Sequence, residues 1–134
     1  MSNEITAKEI VDQTNKLRSD WIEIDASLRM RLKMIDLAVG FRFVVDINTE
    51  IGIGYMWNRK FCIYFSLKDH DNSNDLSIKQ VPLSVLIKSV ETLQKAIETI
   101  EKEIAIFVQK VAASQQILDQ VKLSPLLQPV ETKP

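Results

Sequence analysis

Residues 86–121, LIKSVETLQKAIETIEKEIAIFVQKVAASQQILDQV, carry apolar side chains in alternating steps of three and four. Written as heptads, the d positions are Leu86, Leu93, Ile100, Phe107, Ser114 and Val121, and the a positions are Val90, Ile97, Ile104, Val111 and Leu118. A 3.5-residue repeat holds one stripe of a helix towards a partner, and β-branched residues at a with Leu at the first d positions favour two-stranded pairing. At 1.5 Å per residue the stripe is about 54 Å long, more than a small domain is wide. Flanking apolar residues (Ile87, Ala96, Val108, Ile117) broaden it beyond a strict zipper, so a sheet or a third helix is expected against it as well. Leu93, Ile97, Ile100, Ile104, Phe107, Val111 and Leu118 are the seam this pattern predicts, paired with a second copy of the chain or with the first helix.

Upstream, Thr6 and Glu9 have the spacing of a capping box, and Ile5 and Ile10 that of a hydrophobic staple. Ile10, Leu17 and Ile24 then alternate with Thr14, Trp21, Leu28 and Ile35, interrupted by Arg31. Early acids (Glu9, Asp12) and late bases (Arg29, Arg31, Lys33) suit the helix dipole, and Gly40 is the expected left-handed stop. The spacing predicts a helix over 6–38.

The period then changes to two. Phe41, Phe43, Val45 and Ile47 alternate with Arg42, Val44 and Asp46, followed by Ile51, Ile53, Tyr55 and Trp57 and by Phe61, Ile63, Phe65 and Leu67. These are three strands of an antiparallel meander. Three-residue connectors, Asn48-Thr49-Glu50 and Asn58-Arg59-Lys60, would pair Ile47 with Ile51 and Trp57 with Phe61. One face is then apolar, and the other carries Arg42, Asp46, Gly52, Gly54, Met56, Cys62, Tyr64 and Ser66. Residues 68–75 read as a polar loop, and Leu76 to Val81 as a short fourth strand. Pro82 suits the first helical position, and Ser124-Pro125 ends the last helix. The expectation is an α+β fold: a long N-terminal helix, a three- to four-stranded antiparallel β-meander and a very long C-terminal helix with coiled-coil heptads. Residues 1–124 form a single domain and 125–134 a flexible, proline-containing tail.

The chain has 134 residues, 46% of them hydrophobic, enough for one domain with a real core. Its net charge of −1 provides no global field for a nucleic acid or an anionic membrane. A lone cysteine excludes an intrachain disulfide and suits a reducing cytoplasm, and the polar, acidic start is unlike a secretion signal.

No motif points to catalysis, a cofactor or a metal. Ile51-Gly52-Ile53-Gly54 precedes a strand rather than the helix a phosphate loop needs, so its glycines are read as room for a large neighbour, with Tyr64 beside Gly54. Asp69, Asp71, Ser73 and Asp75 imitate half of a calcium loop, but Asn74 and Gln80 occupy the glycine and bidentate glutamate positions. His70 is the sole histidine, too few for a His-based metal centre. Cys62 as a nucleophile would need a basic partner, and the sole histidine lies in a loop beyond the same strand, so the cysteine reads as a small buried hydrophobe. The candidate partner-binding residues are Arg29, Arg31, Arg42, Trp57, Arg59 and Lys60, basic groups around an aromatic, with Asp46 and Tyr64 on the polar sheet face.

The order long helix, meander, long helix resembles prefoldin-type chaperone subunits, whose two helices form a coiled coil joined by β-hairpins. Residues 54–57 (GYMW), 61–65 (FCIYF) and 81–83 (VPL) are similar to small accessory proteins of bacteria and their phages. That resemblance implies a phage or mobile-element origin and an inhibitor of a host system. The leading expectation is a non-catalytic, homodimeric adaptor or inhibitor that holds a protein partner through rigid helix and sheet surfaces. A nucleic-acid-binding module using the basic patch comes second, an enzyme is ranked below it, and a prefoldin-like or secretion-type chaperone is a further alternative.

Overall fold

The computed structural model describes residues 6–37, 39–56, 60–69 and 72–130. The fold is α+β: a long helix α1 (Ala7–Met34), a four-stranded antiparallel sheet of β1 (Phe41–Asp46), β2 (Thr49–Tyr55), β3 (Phe61–Asp69) and β4 (Asn72–Ser77) in the order β1-β2-β3-β4, then a 40-residue helix α2 (Leu83–Lys122). Contacts divide the chain into two compact units, Met1–Ala96 and Ile97–Pro134.

Helix α1 starts as expected, with the Thr6 hydroxyl accepting the Glu9 N–H at 3.2 Å. The staple residue Ile5 lies outside the described residues. The helix stops earlier than residue 38, and Gly40 is not the stop. Asp36 takes the left-handed conformation (φ 56°), while the Leu37 N–H donates to Leu32 O at 2.8 Å and the Asp36 N–H to Lys33 O at 3.1 Å. Those two bonds make a Schellman motif, and aspartate is one of the few non-glycine residues that tolerate its left-handed position. The buried stripe of α1 is also turned from the expected one. Trp21 and Leu32 are buried while Ile10 and Ile24 are exposed. A straight helix drifts about 20° per heptad against a 3.5 repeat, which brings Leu32 inward in place of Arg31.

The strands keep the expected faces but slide against one another. Phe41 pairs with Ile53 and Phe43 with Ile51, and the register shifts between Val44 and Asp46. Asp46 Oδ1 accepts the Asn48 N–H at 2.7 Å, an Asx turn that reverses the chain within two residues. Ile47, expected opposite Ile51, therefore sits at the turn with 92% of its surface exposed. On the next edge Tyr55 pairs with Phe61 and Ile53 with Ile63, two residues away from the expected register. The Met56 N–H donates to Lys60 O at 3.0 Å across residues 57–59, which lie outside the described residues, as do Trp57 and Arg59 within them. The expected loop 68–75 is mostly strand: β3 continues to Asp69 and β4 returns from Asn72, pairing Asn74 with Leu67 and Leu76 with Phe65. A polar strand at an open edge discourages pairing with other chains, which is why it carries no hydrophobic signature. Residues 78–80, placed in the strand by the sequence, form the turn into α2.

The core of the first unit is built from Trp21 and Leu32 of α1, Ile51, Ile53, Phe61, Ile63 and Phe65 of the sheet, and Leu86, Leu93 and Ala96 of α2. Trp21 tilts against Phe65 with ring centroids 5.4 Å apart. Along α2 the buried residues Leu86, Ser89, Leu93 and Ala96 are d and g positions, so the stripe is displaced from the expected a/d seam and Val90 is 42% exposed. Ser89 is wholly buried, and its hydroxyl has no hydrogen-bond partner.

Two polar side chains tie α1 to β3 and to the turn before α2. The Ile63 N–H donates to Asp25 Oδ1 at 2.6 Å, at the point on β3 where pairing with β4 has ended. Arg18 Nη1 donates to Ile78 O at 2.6 Å and Val81 O at 3.0 Å, closing the turn before α2. Both satisfy backbone groups that a sheet edge and an irregular turn leave over.

Candidate functional site

Three surfaces bear on function. The first is the polar face of the sheet, where Val44, Glu50, Ser66 and Asp75 form one cross-strand row and Arg42, Gly52, Tyr64 and Ser77 the next. An open groove of about 620 Å³ runs along it, lined by Arg42, Glu50, Ser66, Lys68, Asn74, Asp75 and Leu76. Its charges alternate in sign, and Arg42 Nη1 is 3.8 Å from Glu50 Oε2. Tyr64 is 7% exposed because its ring covers Gly52, where any Cβ would overlap it. The ring thus lies over Gly52, not Gly54; the latter instead faces Gly40, whose Cα would be 3.0 Å from a Cβ there. Asp46, at the end of β1, pairs with Lys88 of α2. Together with the Asn48 N–H, that ammonium holds the Asp46 carboxyl below its ordinary pKa.

The second surface is a groove of about 460 Å³ beside α1, lined by residues that include Asp25, Arg29, Lys60, Cys62 and Lys79. Here Arg29 and Lys60 come together, whereas Arg42 lines other grooves and Arg31 is exposed in the last turn of α1. Burial pushes the Cys62 thiol pKa up, Asp25 adds to the rise, and Arg29 and Lys60 oppose it. The net effect disfavours the thiolate, the form a nucleophile needs. Among the described residues no group of three His, Cys, Asp or Glu could hold a metal ion.

The third surface belongs to the second unit. Of the expected seam, Leu93 and Ile100 are buried, Ile97, Ile104 and Phe107 are partly covered, and Val111 and Leu118 are exposed. Val108, Val111, Ile117, Leu118 and Val121 leave an apolar stripe in water that continues past the helix end through Leu123. Beyond α2, Pro125–Leu127 form a 3-10 turn, fastened by Gln128 Nε2 donating to Lys122 O at 2.5 Å. No helix among the described residues is long and apolar enough to cross a membrane.

Asp25 and Arg18, which place α1 against the groove, carry a faint sequence signal: both stand on the stripe of Trp21 and Leu28, where solvent-facing charge is not expected. Set against known protein families, curated proteins and solved structures, the chain matches none.

Proposed function

We propose that this chain is a non-catalytic protein-interaction protein, an adaptor or inhibitor, and that the second half of α2 is a protein-protein interface. The observation that carries this reading is the stripe Val108, Val111, Leu118 and Val121, left in water on a helix of 40 residues. Contiguous exposed apolar surface rimmed by polar residues is characteristic of interaction sites. Helix-in-groove and coiled-coil recognition both read anchors at this spacing. Residues 97–124 hold three lysines and four acids, so the stripe lacks the positive rim that anionic lipid or a phosphate backbone would require. The mixed charges of the sheet face likewise suit a protein better than a polyanion.

A photo-crosslinking residue placed at Leu118 of the purified chain, with Gln116 as the control, tests the reading in the native host extract. Protein adducts at Leu118 and none at Gln116 are expected. Absence of protein adducts, together with oligonucleotide binding that tightens steeply as salt falls and is lost in Arg29→Ala/Lys60→Ala, would replace it with nucleic-acid binding.

A further inference from the structure

We infer that the partner of the α2 stripe is a second copy of the same chain, paired antiparallel over residues 101–122 with Glu101 of each copy facing Lys122 of the other. This rests on the protein-binding reading and identifies the protein.

The bounds come from exposure. Ile100 is 1% exposed and Ile104 and Phe107 are partly covered, so the seam opens at Ile104 and Phe107 and lies fully in water from Val111 through Ser114 and Leu118 to Val121. In an antiparallel coil an a residue meets a d residue of the other helix, and the flanking contacts are e with e and g with g. With the twofold axis between Ala112 and Ala113, Ile104 meets the partner's Val121, Phe107 meets the partner's Leu118, and Val111 meets the partner's Ser114, each contact repeated by symmetry. Every a and d position from Ile104 onwards is then covered. A C2 pairing is also the commonest closed arrangement of identical chains.

Charge selects this register over its neighbours. It sets Glu101 against the partner's Lys122 twice, sets Val108 against the partner's Gln115, and brings no like charges together. Sliding by one heptad to lengthen the overlap puts Lys110 on the axis against its own copy. Sliding the other way shortens the overlap and leaves no opposite-charge contact. A parallel coil joins g to the following e, which matches Glu103 with Val108, Lys110 with Gln115 and Ile117 with Lys122, again without an ion pair, and stacks Ser114 on itself. Flanking charges of this kind set partner orientation more than strength. Glu101 is exposed and Lys122 lies 3.8 Å from Asp119 in an open pair, so both are available for exchange.

The test uses the full chain in a Cys62→Ser background. Under mild oxidation, mixed Val111→Cys and Ser114→Cys chains should form a disulfide-linked heterodimer, and neither alone should link efficiently. Separately, Glu101→Lys or Lys122→Glu should raise the dimer Kd about tenfold, and the double reversal should restore it. Self-linking by Ser114→Cys alone would establish a parallel coil and overturn the assignment. If the double reversal were weaker than either single change, the Glu101–Lys122 register would fall. A chain that stays monomeric while Leu118 crosslinks to a different protein would sink this inference and leave the interaction reading standing.

Discussion

Replacing Gly52 with Ala probes a crowded point of the sheet. The Tyr64 ring rests on the bare backbone there, and a Cβ would overlap the ring itself. Gly52 has no positive φ, so the backbone accepts alanine without strain, and the lower freedom of the unfolded chain would return about 0.4–1 kcal/mol. Against that, the Tyr64 ring must lift out of a site where it is 7% exposed. Overpacking of this kind costs about 1–3 kcal/mol. The expected net loss is about 1–2 kcal/mol, a fall in Tm of roughly 4–8 °C at about 4 °C per kcal/mol for a chain of this length. In a Tyr64→Ala background the obstacle is gone, and Gly52→Ala should be neutral or stabilising. The double-mutant cycle, read by urea unfolding at constant m, should give a coupling of about 2 kcal/mol. An equal cost of Gly52→Ala in both backgrounds would refute the account of the ring on the glycine.

Ser89→Ala should stabilise the protein by about 1 kcal/mol, because it removes a buried hydroxyl with no partner and adds helix propensity; a loss of stability would mean that the hydroxyl is satisfied. Asp36→Gly should leave the melting temperature unchanged or raise it, and Asp36→Val should lower stability by more than about 1 kcal/mol, since a β-branched residue resists the left-handed position; circular dichroism melts of the pair decide. The carboxyl of Asp46 is held below its ordinary pKa by Lys88 and the Asn48 N–H. Its contribution to stability is therefore complete above the unfolded value of about 3.9 and disappears as pH falls through the folded value. Asp46→Asn should flatten the acid limb of the stability profile, and an unchanged limb would show that the pairing does not persist in solution.

The alternation of Phe41 and Phe43, of Ile51 and Ile53, and of Phe61, Ile63 and Phe65 was enough to assign the faces of the sheet. It could not set the register, because sliding a strand by two or four residues leaves every face unchanged. The register depends instead on local chemistry at the turns: the Asp46 carboxylate capturing the Asn48 N–H, and Met56 bonding to Lys60 across the next reversal. Strand β4 escaped a hydrophobic reading because Asn72 to Asp75 bear the polarity that an edge requires. The stripes on both helices were legible in period but not in phase, as the burial of Leu32 and Ser89 in place of their neighbours shows. Asp25 and Arg18 act over 38 and 60 residues of chain, a separation at which one sequence carries no pairing signal.

The central claim is that the second half of α2 is an interface and that a second copy covers it. Sedimentation velocity of the intact chain across the micromolar range, at physiological salt, addresses it directly. The account predicts a monomer–dimer equilibrium that shifts to dimer with concentration and that Leu118→Asp abolishes while the far-ultraviolet circular dichroism is retained. A single monomeric boundary at every concentration, identical for the wild-type chain and Leu118→Asp, would contradict it.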